Sequence, residues 1–288
     1  MKNHGFYTSY KAFDKPPFND LELAKKGAHY ERLMVALESY GKRPHQSELL
    51  IGGLPKHLSD TFITDGIILL DEWADPKMHK ELLQTALSYP AHMNKHPHVN
   101  LVNQRPDCLN WFLHKSKLKD ILACCLKMDL NDLDFSNQYT NNTFIQKVEF
   151  DGENNDEQQF AHMDTFFPAL KFWYFPEDVE AEYGAFSYAK GSPNIFKEAA
   201  FGKWYNEQII SVIDGSYDWS RGRGTPEGSI RITVEEMESF GLTYEPVSVK
   251  ANTLVIGNVM GFHGRGTSKK PLTRTAIHGS IRPNQPME

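Results

Sequence analysis

Cysteine is scarce in this chain: there are three, Cys108, Cys124 and Cys125, among 288 residues. That excludes a disulfide framework, and no C-x-x-C pair is present for zinc or redox work. Cys124 and Cys125 are adjacent in the helix-like run KSKLKDILACCLKM and read as buried small hydrophobes. Reduced thiols fit a reducing compartment, so a cytoplasmic location is expected. A surplus of basic residues is also missing. Lys and Arg total 31 against 37 Asp and Glu, a net charge of −6, which argues against a nucleic-acid partner because such proteins present a basic face. No apolar run approaches the roughly 20 residues that cross a bilayer, and no membrane partner is expected. The opening MKNHGFYTSYKAFDKPPF has neither the apolar stretch nor the small-residue cleavage site of a secretory leader. Internal repeats, low-complexity tracts and Gly/Ser linkers are absent.

What remains is an ordinary globular balance, 40% apolar and 24% charged, able to bury a core without staples. A single domain over 1–288 is expected, with a helical flanking part over 1–135 and a β core over 140–285. In the first part, apolar recurrence predicts a helix over 21–40 stopped by Gly41. A second is expected near 76–89 with Pro76 in its first turn, and a third over 116–128. FITDGIILLDEW between the first two suggests a strand with a turn at Asp65-Gly66. From residue 143 the pattern becomes short strands separated by Gly, Pro and Asn: 143–150, 169–175, 184–189, 229–234, 253–264 and 272–281, interrupted by a helical insert over 196–214. Strands at that spacing predict a barrel or sandwich flanked by N-terminal helices.

Within this half stands Gln159-Phe160-Ala161-His162-Met163-Asp164-Thr165. Residues i and i+2 of an extended segment point the same way, so His162 and Asp164 aim an imidazole and a carboxylate at one point. A histidine from a distant strand would complete a two-histidine, one-carboxylate facial set with open metal positions. His263, at the end of an apolar strand and before Gly264, is the best candidate. H-x-D alone is weak, since short His/Asp spacings arise by chance among 12 histidines. The next strand carries Arg274, eleven positions after His263. A guanidinium there pairs with a carboxylate through two parallel hydrogen bonds that lysine cannot copy; alone, it would read as a solvated edge-strand arginine.

The stretch HMDTFFPALKFWYFPEDVEAEYGAFSYAKGSPN, with TLVIGNVMGFHGRG and LTRTAIHGSIRP, resembles the phytanoyl-CoA dioxygenase-like family of Fe(II)/2-oxoglutarate-dependent oxygenases. The likeness covers about 140–285 and rests on H-x-D before a strand, G-x-F-x-Y-x-x-G-S after it, and a late His with Arg eleven positions on. It implies a double-stranded β-helix (jelly-roll, cupin-like) core. It further implies His162, Asp164 and His263 as iron ligands, Arg274 as anchor of the cosubstrate carboxylate, and O2, Fe(II) and 2-oxoglutarate as reaction partners. Oxidation of a small organic substrate, with hydroxylation as the default outcome, follows. Asp164 argues against halogenation, whereas desaturation, ring closure and epimerisation use the same ligands. One departure stands out: many members carry Ser or Thr two positions after the late His, where this chain has Arg265, either a second carboxylate contact or a group turned toward substrate.

Gln146 lies on the face of its strand shared by Phe144 and Val148. It is either a cosubstrate contact, as in related enzymes, or a core amide bonded to backbone. Lys171 and Trp173 share a face with Phe175; Lys171 either binds an acidic substrate or the cosubstrate, or snorkels to water. Phe166 is a candidate pocket wall or plain core. His92, His96 and His98 form a rival cluster, but Pro97 disfavours the helix that an i, i+4 pair needs, so the segment reads as a polar loop. His278 reads as a core or rim histidine, and the acidic run at 151–157 as a solvated loop without calcium-ligand spacing. Two other classes remain in view: a non-catalytic cupin-like binding module, and a metal-dependent isomerase on the same barrel.

Overall fold

In a computed structural model of the chain, which describes residues 19–43, 54–89, 98–100, 107–108, 111–133, 143–150, 157–226, 228–268 and 270–283, the strands form two antiparallel sheets. They are β1 (Ile67–Leu70), β2 (His98–Asn100), β3 (Phe144–Phe150), β4 (His162–Met163), β5 (Leu170–Phe175), β6 (Phe186–Ala189), β7 (Ile230–Arg231), β8 (Tyr244–Pro246), β9 (Thr253–Asn258), β10 (His263–Arg265) and β11 (Leu272–Ile281). The larger sheet has the order β1-β9-β5-β11-β3-β2, and the smaller β7-β4-β10-β6-β8.

The larger sheet is covered on both faces, which is why β5 and β9 read as nearly unbroken apolar runs. Leu170, Phe172 and Tyr174 of β5 join Leu254 and Ile256 of β9 and Ile277 of β11 in one core with Leu82 of helix Pro76–Leu87 and Leu118 and Leu122 of helix Leu118–Leu126. A fully buried Phe such as Phe172 stabilises by roughly 1.5–3 kcal/mol. The alternate residues Trp173, Phe175, Val255 and Ala276 belong to a second core with Phe186 and Tyr188 of the smaller sheet. Strand parity thus puts Lys171 and Trp173 on the side facing the smaller sheet. Cys108, Cys124 and Cys125 are buried free thiols. No helix among the described residues is long and apolar enough to cross a membrane.

Several local expectations are corrected. The helix over 21–40 is broken at Gly27, left-handed at φ 84, into Leu21–Lys25 and Ala28–Lys42, and Gly41 lies inside the second piece. Asp65-Gly66 is the end of helix Lys56–Asp65, closed by left-handed Gly66, with β1 following directly. The run 229–234 is a strand only at Ile230–Arg231. Thr233 then caps helix Val234–Ser239, its hydroxyl accepting from Glu236 N at 3.2 Å while Glu236 accepts from Thr233 N at 2.9 Å. The insert begins with Ser192–Ile195 and continues as Ala199–Asp214. Residues 98–100, read as loop, pair with β3; His92 and His96 fall outside the described residues, as do 151–156 of the acidic run.

The correction that matters for the site concerns 253–264, which is two strands in different sheets. Asn258 turns the chain: its side-chain oxygen accepts from Met260 N at 3.1 Å and its carbonyl from Gly261 N at 3.0 Å. A Cβ at Gly261 would collide with the Tyr188 hydroxyl. The chain therefore leaves β9 in the larger sheet and enters β10 in the smaller, beside β4.

Candidate metal centre

His263 sits directly opposite His162 across the β4–β10 pair, and directly opposed residues of an antiparallel pair share a face. Their ring centroids are 4.5 Å apart. Asp164, one residue beyond β4, is tied by its N–H to the Val259 carbonyl at 2.8 Å. The parity of H-x-D then brings its carboxylate back to the imidazoles. Oδ1 lies 3.5 Å from His162 Nε2 and Oδ2 lies 3.4 Å from His263 Nε2. One ligand atom from each of His162, Asp164 and His263 falls within 4.8 Å of the others.

Both imidazoles are oriented in the same way. His162 Nδ1 is 2.8 Å from the Phe160 carbonyl and His263 Nδ1 is 2.9 Å from the Gly261 carbonyl. A carbonyl can only accept, so each Nδ1 donates, and each ring turns its Nε2 toward Asp164. His263 Nε2 is buried and makes no hydrogen bond among the described residues. Two imidazoles and one carboxylate converging, one of them with an orphaned nitrogen, fit a divalent metal of the imidazole/carboxylate class.

Electrostatics keep the set ready to ligate. Burial holds the His162 imidazole well below an ordinary histidine, and neighbouring His263 acts in the same direction. Burial alone would raise the Asp164 carboxyl. The Lys171 ammonium, 2.5 Å from Oδ2, outweighs it and holds the group well below the usual carboxylate range. A depressed imidazole has a signed consequence. As pH falls through about 6.5 the unfolded chain protonates His162 and the folded chain does not, so the metal-free protein loses stability below that pH. Its thermal midpoint should drop more between about pH 7.5 and about pH 5.5 than that of His162→Gln; equal drops would mean that His162 titrates normally.

The two sheets line a cavity of about 280 Å³ beside His162 and His263. Its lining brings together most of the residues singled out in the sequence: His162, His263, Gln146, Lys171, Trp173, Arg265 and Arg274. Arg274 is 6% exposed, and its Nη1 donates to the Gly184 carbonyl. Gln146 faces Ala276 across the β3–β11 pair and is buried. Arg265 shares the face of His263, two residues on. His278 lines the cavity too, its ring 5.3 Å from Phe144 and 5.4 Å from Trp173, as a wall residue apart from the triad.

Phe166 is not in the lining. It is fully buried, with the Arg32 guanidinium 4.2 Å from its ring centre, so it is core under the H-x-D turn and the pocket-wall expectation is corrected. Arg231 escaped the sequence reading altogether. It lies opposite His162 on β7 and is buried, its Nε and Nη1 without a hydrogen-bond partner among the described residues. The one signal was a charged residue inside the β-branched run SIRITV, which on parity alone reads equally as solvated.

No family model matches this chain, and no curated protein matches it. Among solved structures, apo HygX from Streptomyces hygroscopicus aligns with a TM-score of 0.50 at 13% identity, over 80% of this chain and 87% of that one. HygX with nickel and 2-oxoglutarate bound gives 0.49 at 15%, over 81% and 88%. The epimerase SnoN, in complex with Fe3+, alpha ketoglutarate and nogalamycin RO, gives 0.49 at 13%, over 78% and 82%. At such identities the likeness is one of fold: this chain has the fold of HygX.

Proposed function

We propose that this chain is a non-haem Fe(II), 2-oxoglutarate-dependent oxygenase on a double-stranded β-helix, acting on a small organic molecule. The finer family assignment is to the phytanoyl-CoA dioxygenase-like oxygenases, on the motifs spanning 140–285. The observation that carries the reading is the convergence of Asp164 with His162 and His263, which stand on two neighbouring strands, are both fixed by backbone carbonyls, and line a cavity with Arg274. That donor set would hold Fe(II) on one face and leave the opposite positions open.

Bound there, iron and 2-oxoglutarate supply the oxidative chemistry: O2 is consumed, the cosubstrate loses CO2 to become succinate, and one oxygen atom enters a substrate C–H bond. The chain's own residues do the rest. Arg274 pairs with the distal carboxylate of the cosubstrate through its planar fork. Gln146 and Arg265 lie on facing sheets of the same cavity and are assigned to cosubstrate contact. Trp173 and Phe186, ring centroids 4.2 Å apart, bridge the sheets and keep water from the apolar side. Hydroxylation is the reaction favoured here, and Asp164, by filling the third ligand position, disfavours halide transfer.

The test is succinate formation from 2-oxoglutarate by the Fe(II)-loaded protein under air, with a parallel assay of Asp164→Gly. Wild type should release succinate and CO2 in equal amounts, even slowly without its substrate, and the variant should release neither. Undiminished release from Asp164→Gly would place the carboxylate ligand elsewhere. No release from wild type at any iron concentration would leave a barrel that binds without turnover.

A further inference from the structure

Lys171 is a charged residue on the interior face of β5, a strand whose other residues are apolar or aromatic. It lines the cavity and sets its ammonium against Asp164 Oδ2. That contact has a consequence once Asp164 serves as a ligand. A carboxylate whose charge is drawn to a divalent cation no longer balances a neighbouring ammonium, and like charges at such range repel. With a side chain only 24% exposed, Lys171 then needs another anion or must reach water at a cost in solvation.

The cosubstrate is poorly placed to be that anion through its distal end. Lys171 pairs with Ser280 across β5–β11, whereas Arg274 lies six residues away along β11, about 20 Å at 3.3 Å per residue. A five-carbon diacid anchored on Arg274 and chelating at the triad approaches Lys171 only by its metal-bound end. Trp173, two residues along the same face, supplies a flat apolar wall against Phe186.

We propose that Lys171 is the specificity-determining residue for the primary substrate, which is a small carboxylate with a flat or apolar body seated on Trp173. The inference rests on the oxygenase reading above. The substrate class is a monocarboxylate, and the ion pair changes partner: Asp164 holds Lys171 before the metal is loaded, and the substrate carboxylate holds it afterwards.

The experiment uses the anaerobic Fe(II) protein with 2-oxoglutarate, read by the metal-to-ligand charge-transfer band, with benzoate as the probe and benzamide as its neutral isostere. Benzoate should shift the band saturably, benzamide should do so at least tenfold more weakly, and Lys171→Met should remove the benzoate response. Loss of one charge-assisted hydrogen bond corresponds to about ten- to a hundredfold in affinity. Lys171→Arg should restore part of the response. Affinity for 2-oxoglutarate itself should fall by less than about tenfold in Lys171→Met, because Arg274 holds its distal carboxylate.

Equal responses to benzoate and benzamide, or a benzoate response that survives Lys171→Met, would overturn the assignment. So would bleaching of the band by benzoate, which signals displacement of the cosubstrate. A tenfold loss of 2-oxoglutarate affinity in Lys171→Met makes Lys171 a cosubstrate clamp instead and overturns it as well. Absence of the band in wild type is a different failure: it removes the oxygenase reading, whereas a normal band that ignores benzoate sinks only the role of Lys171.

Discussion

His263→Ala is expected to abolish stoichiometric Fe(II) uptake while leaving the fold largely intact. Wild type should bind about one ion per chain, since the described residues bring a single triad together. A site of three protein ligands has no spare donor: removing one leaves His162 and Asp164, and Asp164 then falls back on Lys171, 2.5 Å away, which competes with the metal for the same oxygen. Second, the Gly261 carbonyl that holds the His263 ring loses its partner, so the orienting contact vanishes with the ligand. The fold should persist because β10 keeps its backbone pairing with β4 and β6; the cost is a small buried cavity and not a lost strand. Equilibrium dialysis with metal analysis, alongside far-UV circular dichroism, measures both halves. His162→Ala should behave alike. Retained stoichiometric iron in His263→Ala would sink the ligand assignment.

Arg274 carries the second large effect. Arg274→Lys keeps the charge and loses the planar fork, so it would remove one of the two charge-assisted hydrogen bonds of the proposed cosubstrate anchor. At roughly 1.5–3 kcal/mol per bond, affinity for 2-oxoglutarate should fall about ten- to a hundredfold. Arg274→Ala should be worse, because a carboxylate is then buried without a counter-ion. Metal uptake should be unchanged in both, as Arg274 lies outside the triad. Anaerobic titration of the Fe(II) protein with 2-oxoglutarate gives the constants directly. Arg265→Ala is the comparison that decides between the two guanidiniums of the cavity. A larger loss there than in Arg274→Ala would move the anchor to the position two residues after His263.

How much of this was legible in the chain follows the range of the physics involved. The convergence of His162 and Asp164 is a matter of strand parity, which two residues settle between themselves. The face shared by Lys171, Trp173 and Phe175 and the first-turn position of Pro76 in its helix are equally local. The capping box Thr233-x-x-Glu236 was present in the letters too; the β-branched run before it outweighed a signal that should have ended the strand. Gly27 is similar: a lone glycine within helical periodicity reads as tolerated, and its left-handed φ of 84 belongs to the junction of two helices.

Other decisions belonged to packing between distant segments, and no window of sequence holds them. The apolar run at 253–264 divides between two sheets because Asn258 closes a turn and Gly261 passes under the Tyr188 hydroxyl, a residue from another strand. That division is what seats His263 opposite His162. Phe166 became core because Arg32, from a helix far upstream, covers it. Lys171 met Asp164, and Arg231 came to lie beside His162, only when the two sheets and their edge strand took up register. Chain-local rules, parity and capping, thus specify which residues can act together along one strand. The partners across the cavity are chosen by burial, because only the closed pair of sheets removes water from between them.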